Sequence, residues 1–279
     1  MELRDAGELR RRLGGWLRHQ VEGAGLRGVI FGLSGGVDSA VVCGLAAEVL
    51  GPERCLGIIM PAESIDEDAR LAEAVAQAFD VPTLTIDLSK PFRELHTLLD
   101  GHVSAARRAA RGLGEQPDTS AAARAGEAAE VAEAGDAARV RLADANLKPR
   151  LRMVTLYYYA NLLDYMVLGT GNRAEFTLGY FTKWGDGAAD AFPLADLLKH
   201  EVWDLARELG VPDAVVDRAP SAGLWSGQTD EEELGLRYEQ VDRYLSEGTS
   251  GDAGVDAEIE RRYRASRHKV GSPPTPGLS

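Results

Sequence analysis

Cysteine, aromatic side chains and long apolar runs are all scarce in this chain, and positive charge is outweighed by negative. Cys43 and Cys55 are the only cysteines among 279 residues. They are too few for a disulfide framework and are not spaced as a CxxC metal or redox pair, so both read as small core side chains. No stretch approaches the ~20 consecutive apolar residues of a membrane-spanning helix. The charged start, Met1 to Asp5, does not read as a secretory signal. The expectation is a cytoplasmic protein with no membrane partner. Lys plus Arg number 31 against 44 Asp plus Glu, a formal net charge of −13. That balance opposes a nucleic-acid partner, tRNA or DNA, gripped through its phosphate backbone. The remainder, 44% hydrophobic and 27% charged, describes a globular chain able to bury a core.

What is present is an alternation of helix-period and strand-like segments. Leu9, Leu13, Trp16, Leu17 and Val21 share one side of a helix over Glu8 to Val21. Strand-like runs follow at Gly28–Leu33, Cys55–Met60, Thr83–Leu88 and Tyr165–Gly169. Helical segments lie between them, ending near Leu50, over Asp66–Phe79, over Pro91–Leu99 and from about Asn146. This order predicts an α/β fold: a doubly wound, mainly parallel sheet with helices on both faces. One domain is expected over 1–270, carrying a variable Ala-rich insert at 101–145, then a disordered tail at 271–279. The helix over 149–164 places Leu151, Met153, Val154, Leu156, Tyr157, Tyr158, Tyr159, Leu162 and Leu163 in nearly every direction around its axis. It should be buried on more than one side, either as a central core helix or as the interface of a homodimer.

Ser34 to Ser39 (SGGVDS) joins the first strand to the next helix. Its glycine pair lets the backbone approach an anion and turns N–H groups toward it at the positive end of that helix. No Gly-Lys-Ser/Thr closes the loop, so it is not of the Walker type, and it lacks the GxGxxG spacing. Asp38 stands where a Walker loop has lysine. An anion beside a phosphate site makes physical sense with a metal ion between the two. Thr170 to Glu175 also follow a strand, so Thr170 and Glu175 should project from the same carboxyl edge of the sheet as Asp38. Phe181 to Pro193 reads as a flexible loop presenting Lys183, Asp186 and Asp190. Only five lysines accompany 26 arginines, and three of the five are Lys183, Lys199 and Lys269. A compact ammonium suits phosphate or carboxylate where a guanidinium fork would demand more room.

SGGVDS after an apolar strand resembles the PP-loop of the N-type ATP pyrophosphatases, which have an adenine nucleotide alpha hydrolase-like fold and cleave ATP between its α- and β-phosphates. The segments NLKPRLRM, GTGNRAE, GYFTKWGDGAAD, PLADLLK, APSAGL and SRHK stand in the order and spacing of the NAD synthetases. The resemblance runs from Gly28 to Lys269, leaving out the insert. It implies magnesium as cofactor, with ATP and deamido-NAD as substrates. Asp38 and Glu175 would be the magnesium ligands and, through the ion, the catalytic carboxylates. Gly32, Leu33, Ser34, Gly35, Gly36, Val37, Asp38, Ser39, Thr170, Lys199 and Ser221 would contact ATP. Arg150, Lys183, Asp190, His268 and Lys269 would contact deamido-NAD. The form Thr170-Gly171-Asn172-Arg173-Ala174-Glu175 departs from the Thr-Asp-His-Ala-Ala-Glu of many bacterial relatives, which bears on details of substrate contact.

The reaction implied is adenylation of the nicotinate carboxylate, followed by displacement of AMP by ammonia. The loops around Phe181–Pro193 and Ala219–Thr229 are candidates for shielding the acyl-adenylate from water. A glutaminase would need a further domain with a catalytic cysteine, so free ammonia is the expected nitrogen source, with a glutaminase on a separate chain as the alternative. Two other readings compete. A second adenylating amidase or tRNA-modifying relative is opposed by the acidic balance and the missing CxxC. A non-catalytic nucleotide-binding module would need the loop but not Glu175, Lys183 and Asp190.

Overall fold

The structure is a computed structural model that describes residues 4–110, 137–220 and 230–276. Four parallel strands form one sheet in the order β3-β2-β1-β4: β1 (Gly28–Gly32), β2 (Cys55–Ile59), β3 (Thr83–Thr85) and β4 (Tyr165–Leu168). Strand β1 is flanked on both sides, so its side chains meet core on both faces, as its apolar GVIFG run requires. Val29 and Phe31 point to one face, where Leu17 and Val21 of helix Ala6–Gly23, Val41 of helix Val37–Leu50, and Val202 and Leu205 of helix Lys199–Leu209 join them. Ile30 points to the other, with Ile58, Val167 and Ala160. Each of these fully buried side chains contributes roughly 1.5–3 kcal/mol relative to exposure. A third cluster, Leu178, Leu234, Tyr238, Val241 and Ile259, is built by the C-terminal helices and packs behind the strand-ending turn after β4.

The alternation of elements read from the sequence is present, with shifts at the edges. Strand β3 is three residues long, not six. Among the described residues it pairs only with β2, and it exposes all three of its residues. The following helix begins at Ser89, because the Asp87 carboxylate accepts the Ser89 N–H at 2.8 Å and holds its first turn. Trp16, expected on the core side of the first helix, is 38% exposed.

Among the described residues the helix Leu147–Leu163 is not the central core helix of the first alternative. The described residues cover it on one side only: Leu151, Leu156, Tyr157 and Tyr159 lie against the sheet, while Val154, Tyr158 and Leu162 are 60%, 66% and 66% exposed. Their four-residue spacing makes one continuous apolar stripe facing away from the sheet. In the Ala-rich insert, the flanks at Val103–Ala110 and 137–145 are helical, and 111–136 lie outside the described residues. Of the tail, residues 271–276 carry no helix or strand, and 277–279 lie outside the described residues.

Candidate active site

The glycine loop leaves β1 at the carboxyl edge of the sheet and runs straight into the helix Val37–Leu50. Gly35 has φ +80°, and a Cβ there would stand 2.5 Å from the backbone oxygen of Asp68, so only glycine fits. Ser39 braces the turn, donating its hydroxyl to the Gly36 carbonyl at 2.9 Å and accepting the Ser34 N–H at 3.3 Å. Gly36 caps the helix with no side-chain hydrogen bond, which leaves the helix's positive N-terminal end to the space in front of it.

That space is a cavity of about 760 Å³ over the carboxyl ends of β1, β2 and β4. Gly32, Leu33, Ser34, Gly36, Val37, Asp38, Ser39, Thr170, Glu175 and Lys269 line it. The two strand-ending turns are joined directly, because Asn172 donates Nδ2–H to Asp38 Oδ1 at 2.9 Å. Asn172 is also the N-cap of helix Arg173–Leu178 in a capping box. Its Oδ1 accepts the Glu175 N–H, and Glu175 Oε2 accepts the Asn172 N–H, both at 3.1 Å. One buried amide thus places both carboxylates. The Asn-x-x-Glu spacing was readable in the sequence as a capping box, whereas the bond to Asp38 spans 134 positions and was not.

Behind Asp38 lies Lys199, 1% exposed, whose Nζ donates to Asp38 Oδ2 at 2.5 Å. It also sits over the rings of Tyr238 and Trp203, 5.0 and 5.9 Å from their centroids. Burial works against its charge, but Asp38 and Glu175 outweigh burial and hold its pKa above the usual lysine value. Asp230, which the sequence did not single out, lines the cavity and is 4% exposed. Its Oδ2 accepts the Tyr238 hydroxyl at 3.0 Å, while Oδ1 has no hydrogen-bond partner among the described residues. Burial raises the pKa of Asp230. Burial, then the charge of Asp38, raises that of Glu175 well above the carboxylate range.

Three carboxylates therefore share one ammonium, an excess of negative charge that a divalent cation would relieve. The donors are all oxygens, which suits magnesium. Among the described residues no group of three or more His, Cys, Asp and Glu is arranged to hold a metal alone. A cation at Asp38 and Glu175 would draw its remaining ligands from phosphate and water.

The residues expected to hold the second substrate lie apart from the loop. Lys183 donates Nζ to the His268 carbonyl at 2.6 Å, and the exposed Arg150 donates to the Lys183 carbonyl at 3.3 Å. Lys269 donates to the carbonyls of Gly179 and Phe181 at 2.8 and 3.0 Å. Asp190 accepts the Val167 N–H at 2.9 Å and the Tyr157 hydroxyl at 3.0 Å. Arg150, Lys183, Asp190, Lys199 and His268 do not line the cavity, whereas Arg152 and Arg218 do. Arg152, two positions along the same helix, is half-buried and donates to the Met60 carbonyl at 3.1 Å, and partial burial depresses its pKa. Asp186, exposed at the surface, also lines the cavity, and its Oδ1 accepts the Thr182 N–H at 2.9 Å. Arg218 pairs with Asp68 at 2.5 Å. Ser221 and most of the Ala219–Thr229 loop lie outside the described residues.

Comparison with known proteins gives one consistent neighbourhood. The family model NAD synthase matches residues 9–273. A relative from Carboxydothermus hydrogenoformans, described as an NH(3)-dependent NAD(+) synthetase, is 42% identical over 267 residues and covers 96% of each chain. One of the same description from Methanosarcina acetivorans is 39% identical over 277 residues, covering 94% of this chain and 95% of its own. Among solved structures, NMN synthetase from Francisella tularensis superposes with a TM-score of 0.80 at 31% identity, covering 99% of this chain and all of its own. NAD+ synthetase from Burkholderia pseudomallei gives 0.67 at 30% identity, covering 96% and 90%.

Proposed function

The chain belongs to the NAD synthase family, and from that premise we propose that it is a ligase that amidates deamido-NAD to NAD with ammonia, spending ATP as AMP and pyrophosphate. The observation that carries this reading is the meeting of Asp38 and Glu175, through Asn172, in front of the glycine loop. The nicotinate carboxylate is a poor electrophile because its oxygen is a bad leaving group. Its attack on the α-phosphorus expels pyrophosphate and converts that oxygen into part of AMP. Ammonia then attacks the acyl carbon, and AMP leaves.

The chain's own groups have separable tasks in this scheme. The loop N–H groups from Ser34 to Ser39 hold the outer phosphates, with Thr170 at the opposite wall. Asp38 and Glu175 would hold magnesium, which when bound neutralises charge on the departing pyrophosphate. Arg152, half-buried in the cavity wall, supplies a cation for an anionic group of the nicotinate substrate. Lys269 in the cavity wall, with Lys183, Asp190, His268 and Arg150 outside the cavity, would hold the rest of deamido-NAD. Closure of the 181–193 segment would keep water from the acyl-adenylate.

The assembly we propose is a homodimer through the Val154, Tyr158 and Leu162 stripe, since an apolar row of this length on a soluble protein calls for a covering partner. Two buried free thiols, Cys43 and Cys55, suit a reducing compartment, and we place the enzyme in the cytoplasm.

The test is a product assay with purified protein, ATP, magnesium and deamido-NAD, with ammonium or glutamine as the nitrogen source. NAD, AMP and pyrophosphate are expected with ammonium; ADP as product would overturn the mechanism. A second reading, in which the mononucleotide is the preferred substrate, is favoured by the likeness to the Francisella NMN synthetase. Nicotinate mononucleotide belongs in the same assay, and the larger kcat/KM decides between the two.

A further inference from the structure

Lys199 and Asp230 present two facts that the scheme above leaves unused. The ammonium of Lys199 is enclosed behind Asp38 and does not line the cavity, although it belongs to the expected ATP contacts. Asp230 does line the cavity, yet one of its two buried oxygens has no hydrogen-bond partner among the described residues. A buried acceptor with no partner among the described residues is costly, the more so when ionised, so a donor that reaches it is favoured there. The two residues are contiguous. Tyr238 carries Lys199 Nζ over its ring at 5.0 Å and donates its hydroxyl to Asp230 Oδ2 at 3.0 Å. Asp230 cannot drift, because that hydroxyl fixes one oxygen and its backbone N–H donates to the Pro220 carbonyl at 3.0 Å.

We propose that Lys199 serves two carboxylates in turn: in the empty site its ammonium stands in for the divalent cation at Asp38, and when nucleotide brings the cation to Asp38 the ammonium is received by Oδ1 of Asp230. Asp230 is then a positioning residue for Lys199. The arrangement makes cation binding conditional on nucleotide. A free divalent ion must displace an ammonium held at 2.5 Å, whereas an ion arriving with a triphosphate brings phosphate oxygens as further ligands, which favours its place at Asp38 and leaves Lys199 to Asp230. Without Asp230 the displaced ammonium would lose its carboxylate partner in a buried place, a costly outcome. The proposal rests on the reading that Asp38 holds a divalent cation together with nucleotide.

Manganese binding followed by electron paramagnetic resonance tests it without turnover, using manganese alone and manganese with α,β-methylene-ATP, which cannot be cleaved at the reacting bond. The wild type is expected to bind manganese weakly alone and at least ~10-fold tighter with the analogue, the scale of one hydrogen bond to a charged group. Lys199→Met, similar in length and uncharged, should bind manganese alone about tenfold tighter than the wild type does. Asp230→Asn keeps an acceptor for Tyr238 but offers an amide N–H where Oδ1 was. It should bind manganese alone as the wild type does and lose about tenfold of the gain from the analogue, and Asp230→Glu should restore part of that loss. Circular dichroism melts establish that each variant is folded, and Lys199→Gln replaces Lys199→Met if the latter is not. Wild-type binding in both the Lys199 and Asp230 variants would overturn the proposal alone. Absence of analogue-dependent manganese binding in the wild type would overturn the cation reading and the proposal with it.

Discussion

At the scale of single residues, the site depends on carboxylates placed by one amide. Asp38→Asn should lower adenylation at least ~10²-fold, the scale of losing one preorganised charge-stabilising group. Lys199 keeps the carboxyl groups of Glu175 and Asp230 as neighbours, so far-UV circular dichroism should be unchanged; pyrophosphate release near the wild-type rate would remove Asp38 from the mechanism. Asn172→Ala should act on both carboxylates at once, costing the helix about 1 kcal/mol as a lost N-cap and lowering kcat/KM, a pairing that urea unfolding and steady-state kinetics would reveal together. The thiols make a separate pH prediction. Burial pushes Cys43 and Cys55 up to about 12 from an ordinary 9.0. Because the folded value is the higher one, their contribution to stability is complete below pH 9 and is lost as pH rises from 9 towards 12, by roughly 1.4 kcal/mol per unit for each thiol. Urea unfolding between pH 8 and 10.5 should show this fall, and the double alanine variant should show a shallower one.

At the scale of elements, the glycine loop and the exposed helix were legible in the sequence to different degrees. Strand, glycine turn and helix follow one another within a few residues, so local pattern alone placed Ser34 to Ser39 at a strand end. The need for glycine at 35 came only with the structure, since the obstruction is the Asp68 backbone, more than thirty positions away. Gly35→Ala should cost about 1–3 kcal/mol in strain at φ +80° and weaken ATP binding, both measurable by thermal shift with and without nucleotide. The helix Leu147–Leu163 shows the opposite case. Its apolar residues at almost every angle were plain in the sequence, but which side meets the sheet depends on packing from distant strands. Tyr158→Glu should convert a dimer into a monomer of half the mass by light scattering at micromolar concentration; an unchanged mass would remove this stripe from the interface.

For the whole molecule, the cavity is assembled from segments between Gly32 and Lys269, so binding there should hold the fold together. Magnesium and ATP at a hundred times their dissociation constant should stabilise the chain by about 2.7 kcal/mol, and differential scanning fluorimetry would show the rise in Tm; none at saturating nucleotide would place the ligand elsewhere. Long-range assembly is also what the sequence concealed. The alternation of strands and helices and the place of the loop followed from local pattern, whereas Asp230, Tyr238 and Arg152 join the site through contacts between helices far apart in the chain. The Asp190 carboxylate holds the Val167 N–H of β4, which brings a practical hazard for mutagenesis. An alanine there would unzip the margin of the sheet while emptying a suspected ligand contact, and an inactive protein would report both injuries in one number. Replacing Tyr157 by phenylalanine, which leaves the Val167 N–H its acceptor, is the cleaner instrument for asking what that carboxylate does for a bound molecule.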